Sequence, residues 1–197
     1  MVEMNSETEK ELTPHQQQQL LQVARESIEY GLGHRHTMPI DADAYDEQLL
    51  QQGGSFVTLH KKAALRGCIG TLQPYQPLVK DVAEHARAAA FSDPRFPPVG
   101  ADELADIVIS VSVLGDPDAI GFSDEDDLIS QLRPSQDGLI LEEGGARGTF
   151  LPSVWESLPQ PRPFLQQLKR KAGLPLDYWS DSLRFSRYTT QSFSEKA

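Results

Sequence analysis

The chain has 197 residues, a net charge of −11 and a single cysteine. That length suits one ordinary domain or two small lobes, and the acidic balance argues against a generic nucleic-acid surface, which needs clustered Lys and Arg. One Cys excludes an internal disulfide framework and a Cys-based zinc site.

No apolar run reaches the ~18 residues of a membrane helix, so no membrane partner is expected. The start at Met1 has neither a basic region nor an apolar region, so a cytoplasmic location is expected. The acidity is uneven. Residues 101–160, whose basic residues are Arg133 and Arg147, carry the whole net charge, and the rest of the chain balances to zero. Such a stretch is either a solvated acidic surface or a face for a basic partner.

Residues 1–12 are polar and acidic and read as a disordered tail. One domain, with room for two lobes, is expected over 13–193, and 194–197 read as a second tail. Thr13, Pro14 and Gln16 form an N-cap, a first-turn proline and a capping box. Leu20, Ala24, Ile28 and Gly31 continue at helical spacing, which predicts a helix ending near Gly31 or Gly33. Residues 34–54 are a connector. His34 and His36 with Asp41 and Asp43 lack the i, i+4 pattern and a third ligand, so no metal is assigned.

Ser55–Leu59 and Ala64–Leu72 read as a hairpin with Lys61-Lys62 at the turn. A helix follows Pro77 through Leu78, Val82, His85, Ala86 and Ala89, with His85 read as packing. Phe91 to Pro98 holds three prolines in a rigid loop. Ile107, Ile109, Val111 and Val113 alternate with Asp106, Val108, Ser110 and Ser112, which predicts a central strand. Ser123 is read as the cap of a short helix with carboxylates in its first turn.

Gly138–Glu142 and Ala146–Leu151 flank Glu143-Gly144-Gly145 as a second hairpin. Pro152–Leu158 reads as a helical turn. Phe164, Leu165, Leu168 and Ala172 define a helix, with Lys169, Arg170 and Lys171 in its last turn and Gly173 after it. Leu183, Phe185, Tyr188 and Phe193 suggest a final, bulged strand. The pattern is α+β, mainly antiparallel sheet packed with helices.

Leu65-Arg66-Gly67-Cys68-Ile69-Gly70-Thr71 asks for a special explanation. Glycine weakens a strand interior, and two glycines flanking a thiol suggest close approach of another backbone or a ligand. In an extended strand Arg66, Cys68 and Gly70 share a face, so Arg66 could favour the Cys68 thiolate. The alternative is a small packed Cys with Arg66 in a salt bridge. The partner strand leaves the base open. A three-residue turn puts Thr58 and His60 on the Cys68 face, and a four-residue turn puts Val57 and Leu59 there.

Leu65 to Thr71 resembles the signature of the AMMECR domain family, called AmmeMemoRadiSam system protein A in bacteria and archaea. Other stretches agree in order: Phe91 with Asp93, Arg95 and Phe96; Asp137-Gly138-Leu139; Arg147 to Pro152; Phe164-Leu165 followed by Lys171-Ala172-Gly173. The resemblance spans about Thr13 to Tyr188. It implies an α+β fold with a main lobe and a smaller lobe around a cleft, and leaves open whether the smaller lobe is an insertion.

No established reaction comes with the family. The resemblance implies partners: a Memo-like protein, similar to metal-dependent dioxygenases, and a radical S-adenosylmethionine protein with an iron–sulfur cluster. This chain supplies neither chemistry. One Cys cannot hold a cluster, and no cofactor motif is present, so no cofactor is assigned.

Two functions stay open. One is an accessory component that binds a partner or substrate for the other two proteins. The other is an enzyme with Cys68 as nucleophile and Arg66, Arg95 or Arg147 holding a small anionic ligand. Gly67, Gly70, Thr71 and Asp93 complete the candidate site. Nucleic-acid binding is disfavoured by the charge.

Overall fold

The structure, a computed structural model, describes residues 11–196. In chain order its main elements are α1 (Pro14–Gly33), α2 (Glu47–Leu50), β1 (Ser55–Lys61), β2 (Ala64–Gly70), α3 (Leu78–Phe91), β3 (Ile107–Leu114), β4 (Asp118–Ala119), α4 (Glu125–Gln131), β5 (Gly138–Glu143), β6 (Ala146–Phe150), α5 (Pro161–Lys171), β7 (Arg184–Tyr188) and β8 (Thr190–Ser194). They form two compact units. One runs to Leu114 and resumes at Gln191, and the other is Gly115–Thr190. The fold is α+β with two antiparallel sheets.

The first unit holds a four-stranded sheet in the order β2-β1-β3-β8. Strand β3 is interior, as its alternation predicts. Val57, Leu59, Ile109 and Val111 point to one face and are fully buried with Leu20, Ala24 and Ile28 of α1 and Val79, Val82 and Ala86 of α3. Helix α1 begins on the predicted capping box. Thr13 Oγ1 accepts from the Gln16 amide, and the Thr13 amide donates to Gln16 Oε1. That satisfies two of the orphan donors of a helix start.

The tail expected over residues 1–12 falls outside the described residues except for Glu11 and Leu12. Leu12 is buried in the core, and its amide donates to Gln191 Oε1 at 2.9 Å. At the other end, Ser194 closes β8. Glu195 is tied down by the Arg25 guanidinium and accepts from the Ile109 amide at 2.9 Å.

The second unit holds a sheet in the order β4-β7-β5-β6. Leu139, Leu141 and Phe185 pack with Phe164, Leu165 and Leu168 of α5. Trp155 stacks on Phe164 with ring centroids 3.7 Å apart, and its Nε1 donates to the Asp137 carbonyl at 2.7 Å. Two local expectations change. The N-cap of α4 is Asp124, whose Oδ1 accepts from the Asp127 amide at 2.8 Å, not Ser123 one residue earlier. The expected final strand is two strands in different sheets, β7 beside β5 and β8 beside β3, parted at Thr189. Among the described residues no helix is long and apolar enough to cross a membrane.

Candidate functional site at the Cys68 strand

Strand β2 is one of the two edges of the first sheet. The hairpin turn holds two residues, Lys62 and Ala63, both at positive φ. Thr58 pairs with Cys68 and Leu59 with Gly67, but His60 pairs with Leu65. Arg66 is therefore one extra residue, a bulge, which re-aims its side chain. Neither register considered from the sequence is the observed one. Thr58 faces Cys68 and donates to Sγ at 3.3 Å, while His60 faces Leu65.

Arg66 is committed to Glu103. Its Nη2 and Nε lie 2.6 and 3.2 Å from the carboxylate, and Lys61 Nζ lies 2.8 Å from it. These bonds, Arg66 first and Lys61 second, bring the Glu103 pKa down to about 2. The expected Arg66 influence on the thiol gives way to this forked pair.

The two glycines are explained by packing. A methyl at Gly67 would run into the carbonyl oxygen of Ala89 on α3, and one at Gly70 into the Phe56 ring and the Ser55 carbonyl. The close approach predicted from them is that of another backbone. Thr71 donates its amide to the Ser55 carbonyl at 3.1 Å, and its hydroxyl accepts from the Gln73 amide at 3.2 Å, turning the chain out of β2.

Asp93 and Arg95, from the proline-rich loop, close on the backbone of Cys68. Asp93 is buried, and its Oδ2 accepts from the Cys68 amide at 2.9 Å. Arg95 Nη2 donates to the Cys68 carbonyl at 3.2 Å. The two are joined by bonds of 2.9 and 2.7 Å from Nε and Nη2. The edge strand thus has its outward amide and carbonyl satisfied by side chains, which hides a pairing edge. The Arg95 guanidinium, with the Cys68 and Arg95 amides, holds the Asp93 carboxyl well below the usual carboxylate range.

Among the sequence-predicted residues, the structure brings together Cys68, Asp93 and Arg95, with Arg66, Gly67, Gly70 and Thr71 on or beside the same strand. Arg147 belongs to the second unit. There its Nε lies 3.5 Å from Glu142 Oε1. Chemically, the Cys68 centre is a half-buried thiol on a fixed peptide, with a hydroxyl donor beside it.

Sequence reading missed a buried cluster in the same unit. Ser55 Oγ donates to Asp81 Oδ2 at 2.6 Å, and His85 Nδ1 lies 3.1 Å from that oxygen. The i, i+4 spacing of Asp81 and His85 on α3 was the available signal. His85 is packed, as expected, but packed against a carboxylate.

In the second unit the quoted stretches meet. Gly148 lies against α5 at Leu168 and Ala172, and Lys171 Nζ donates to the Thr149 carbonyl at 2.8 Å. Burial lowers the Lys171 pKa.

Two four-stranded antiparallel sheets, each with its own helices, and a Cys strand braced by an Asp–Arg loop define an α+β protein of a particular kind. The AMMECR1 family model matches residues 21–193, and the chain belongs to that family. A protein of Methanothermobacter thermautotrophicus is 41% identical over 182 residues, covering 89% of this chain and 92% of the relative. A protein of Saccharolobus solfataricus is 41% identical over 186 residues, covering 89% and 80%. The crystal structure of an uncharacterized protein from Pyrococcus horikoshii aligns with a TM-score of 0.82 at 34% identity, over 91% of each chain.

Proposed function

We propose that the protein is an accessory component that binds partner proteins, acting in the cytoplasm with a Memo-like protein and a radical S-adenosylmethionine protein. One observation carries this reading: Asp93 and Arg95, the charged groups of the Cys68 site, are bonded to each other and to the Cys68 peptide. They shape and stiffen a surface. Arg66 is likewise bonded to Glu103. Surfaces whose charged groups are already paired suit recognition, because little ordering is required on binding.

The test is co-purification of the full chain with each partner at low ionic strength. A complex that survives Cys68→Ser and is lost in Asp93→Ala supports the reading. No complex with either partner overturns it.

A second reading, an enzyme with Cys68 as nucleophile, has the Thr58 hydroxyl at 3.3 Å from Sγ on its side. It requires rapid alkylation of Cys68 that slows in Thr58→Val. Full in-cell function of Cys68→Ser removes it.

A further inference from the structure

In the second unit Arg147, Glu142 and Arg184 occupy one row across three strands. Glu142 on β5 is paired with Arg147 on β6 and with Arg184 on β7. Opposite charges facing across strands support a sheet. Here two cations stand opposite one carboxylate, so this row keeps one positive charge. The pairing is also loose. Arg147 Nε stands 3.5 Å from Glu142 Oε1, beyond the ~2.7–2.9 Å of a charge-assisted bond. The Arg184 side chain has no ion pair or hydrogen bond among the described residues.

The same three side chains line an open cavity of about 560 Å³, which the Gly144-Gly145 turn also lines. That volume lies within the ordinary range for a small-molecule site. The turn adds an independent sign. Gly144 has φ +57, a backbone that favours glycine, but Gly145 has no such backbone. A Cβ built at Gly145 meets nothing within 4 Å. Neither conformation nor packing accounts for that glycine. It leaves the peptide bare where the cavity begins, which suits close approach of a ligand.

We infer that this cavity binds a small phosphate-bearing anion, gripped between the Arg147 and Arg184 guanidiniums. Guanidinium forks match phosphate oxygens in pairs. Glu142 occupies the position between the arginines in the free protein and is the group a phosphate displaces. The site stands apart from the partner reading above and from Cys68, which lies in the other unit.

The experiment titrates the full chain with pyrophosphate, and separately with inorganic phosphate, at low salt by calorimetry and by the amide shift of Gly145. Saturable binding is expected. Arg184→Ala should weaken it by about tenfold, and Glu142→Gln should tighten it by about fivefold by removing the internal competitor. Gly145→Ala should weaken binding while leaving the unfolding midpoint unchanged. Cys68→Ser should bind as wild type, which separates this result from any failure of partner binding. Binding of pyrophosphate alone assigns the site to diphosphates, and binding of both assigns it to single phosphate groups. The inference is overturned if neither wild type nor Glu142→Gln saturates at millimolar anion, or if Arg184→Ala and Arg184→Lys both bind as wild type.

Discussion

A methyl group at position 67 would have to displace the α3 backbone at Ala89, because β2 lies directly on it there. Backbone cannot rotate away as a side chain can. Gly67→Ala should therefore destabilise the first unit by about 3 kcal/mol, read from urea denaturation. The two low carboxylates of the same region predict the pH response. Asp93 and Glu103 both titrate below their ordinary values, because Arg95 and Arg66 respectively bond to them. A depressed native pKa contributes stability above the unfolded value of ~4 and loses it as pH falls toward the native value. The urea midpoint should thus fall steadily below about pH 4. Asp93→Asn should cost about 2 kcal/mol at neutral pH, with the difference from wild type shrinking in acid. A gap that stays constant as the pH falls from neutral into strong acid would contradict the Asp93 assignment.

The hairpin of β1 and β2 turns on Lys62 and Ala63 with φ of 52° and 63°. Two-residue hairpins favour this mirror-image turn, but a side chain in the left-handed region costs roughly 1–2 kcal/mol per residue. Lys62→Asn with Ala63→Gly should stabilise the protein by about 1 kcal/mol, seen as a raised urea midpoint with unchanged slope. This turn also shows how far the sequence could be read. Both strands, their order along the chain and the close approach at the glycines were legible, since alternation and strand glycines carry direct physical meaning. The two-residue loop and the Arg66 bulge were not. A bulge adds one residue without changing the local hydrophobic pattern, so nothing between His60 and Cys68 announces it. That one residue sends Arg66 to Glu103 and leaves Thr58, rather than a histidine, beside the thiol. The split of the last strand was hidden similarly. Phe185 and Phe193 are both inward-facing residues, but for two separate cores.

At the scale of the molecule, part of the acidic stretch proves structural. Asp137 is fully buried, held by Arg133 at 2.7 Å and Arg187 at 3.7 Å, and Glu103 is bonded to Lys61 and Arg66. Counting such residues as surface charge overstates what a partner would meet. The second core depends on Trp155, which combines ring stacking with a hydrogen bond to the Asp137 carbonyl. Trp155→Ala should cost that unit about 4 kcal/mol in thermal or urea unfolding followed by far-ultraviolet circular dichroism.

Both tryptophans, Trp155 and Trp179, lie within residues 115–190, whereas the sole cysteine lies in the other unit. The unaltered chain therefore carries two native reporters. Tryptophan emission follows the loss of one core, and the rate at which a thiol reagent reaches Cys68 follows the loss of the other. Coincident denaturation curves would make folding a single event, and separated curves would rank the two units by stability without introducing any label.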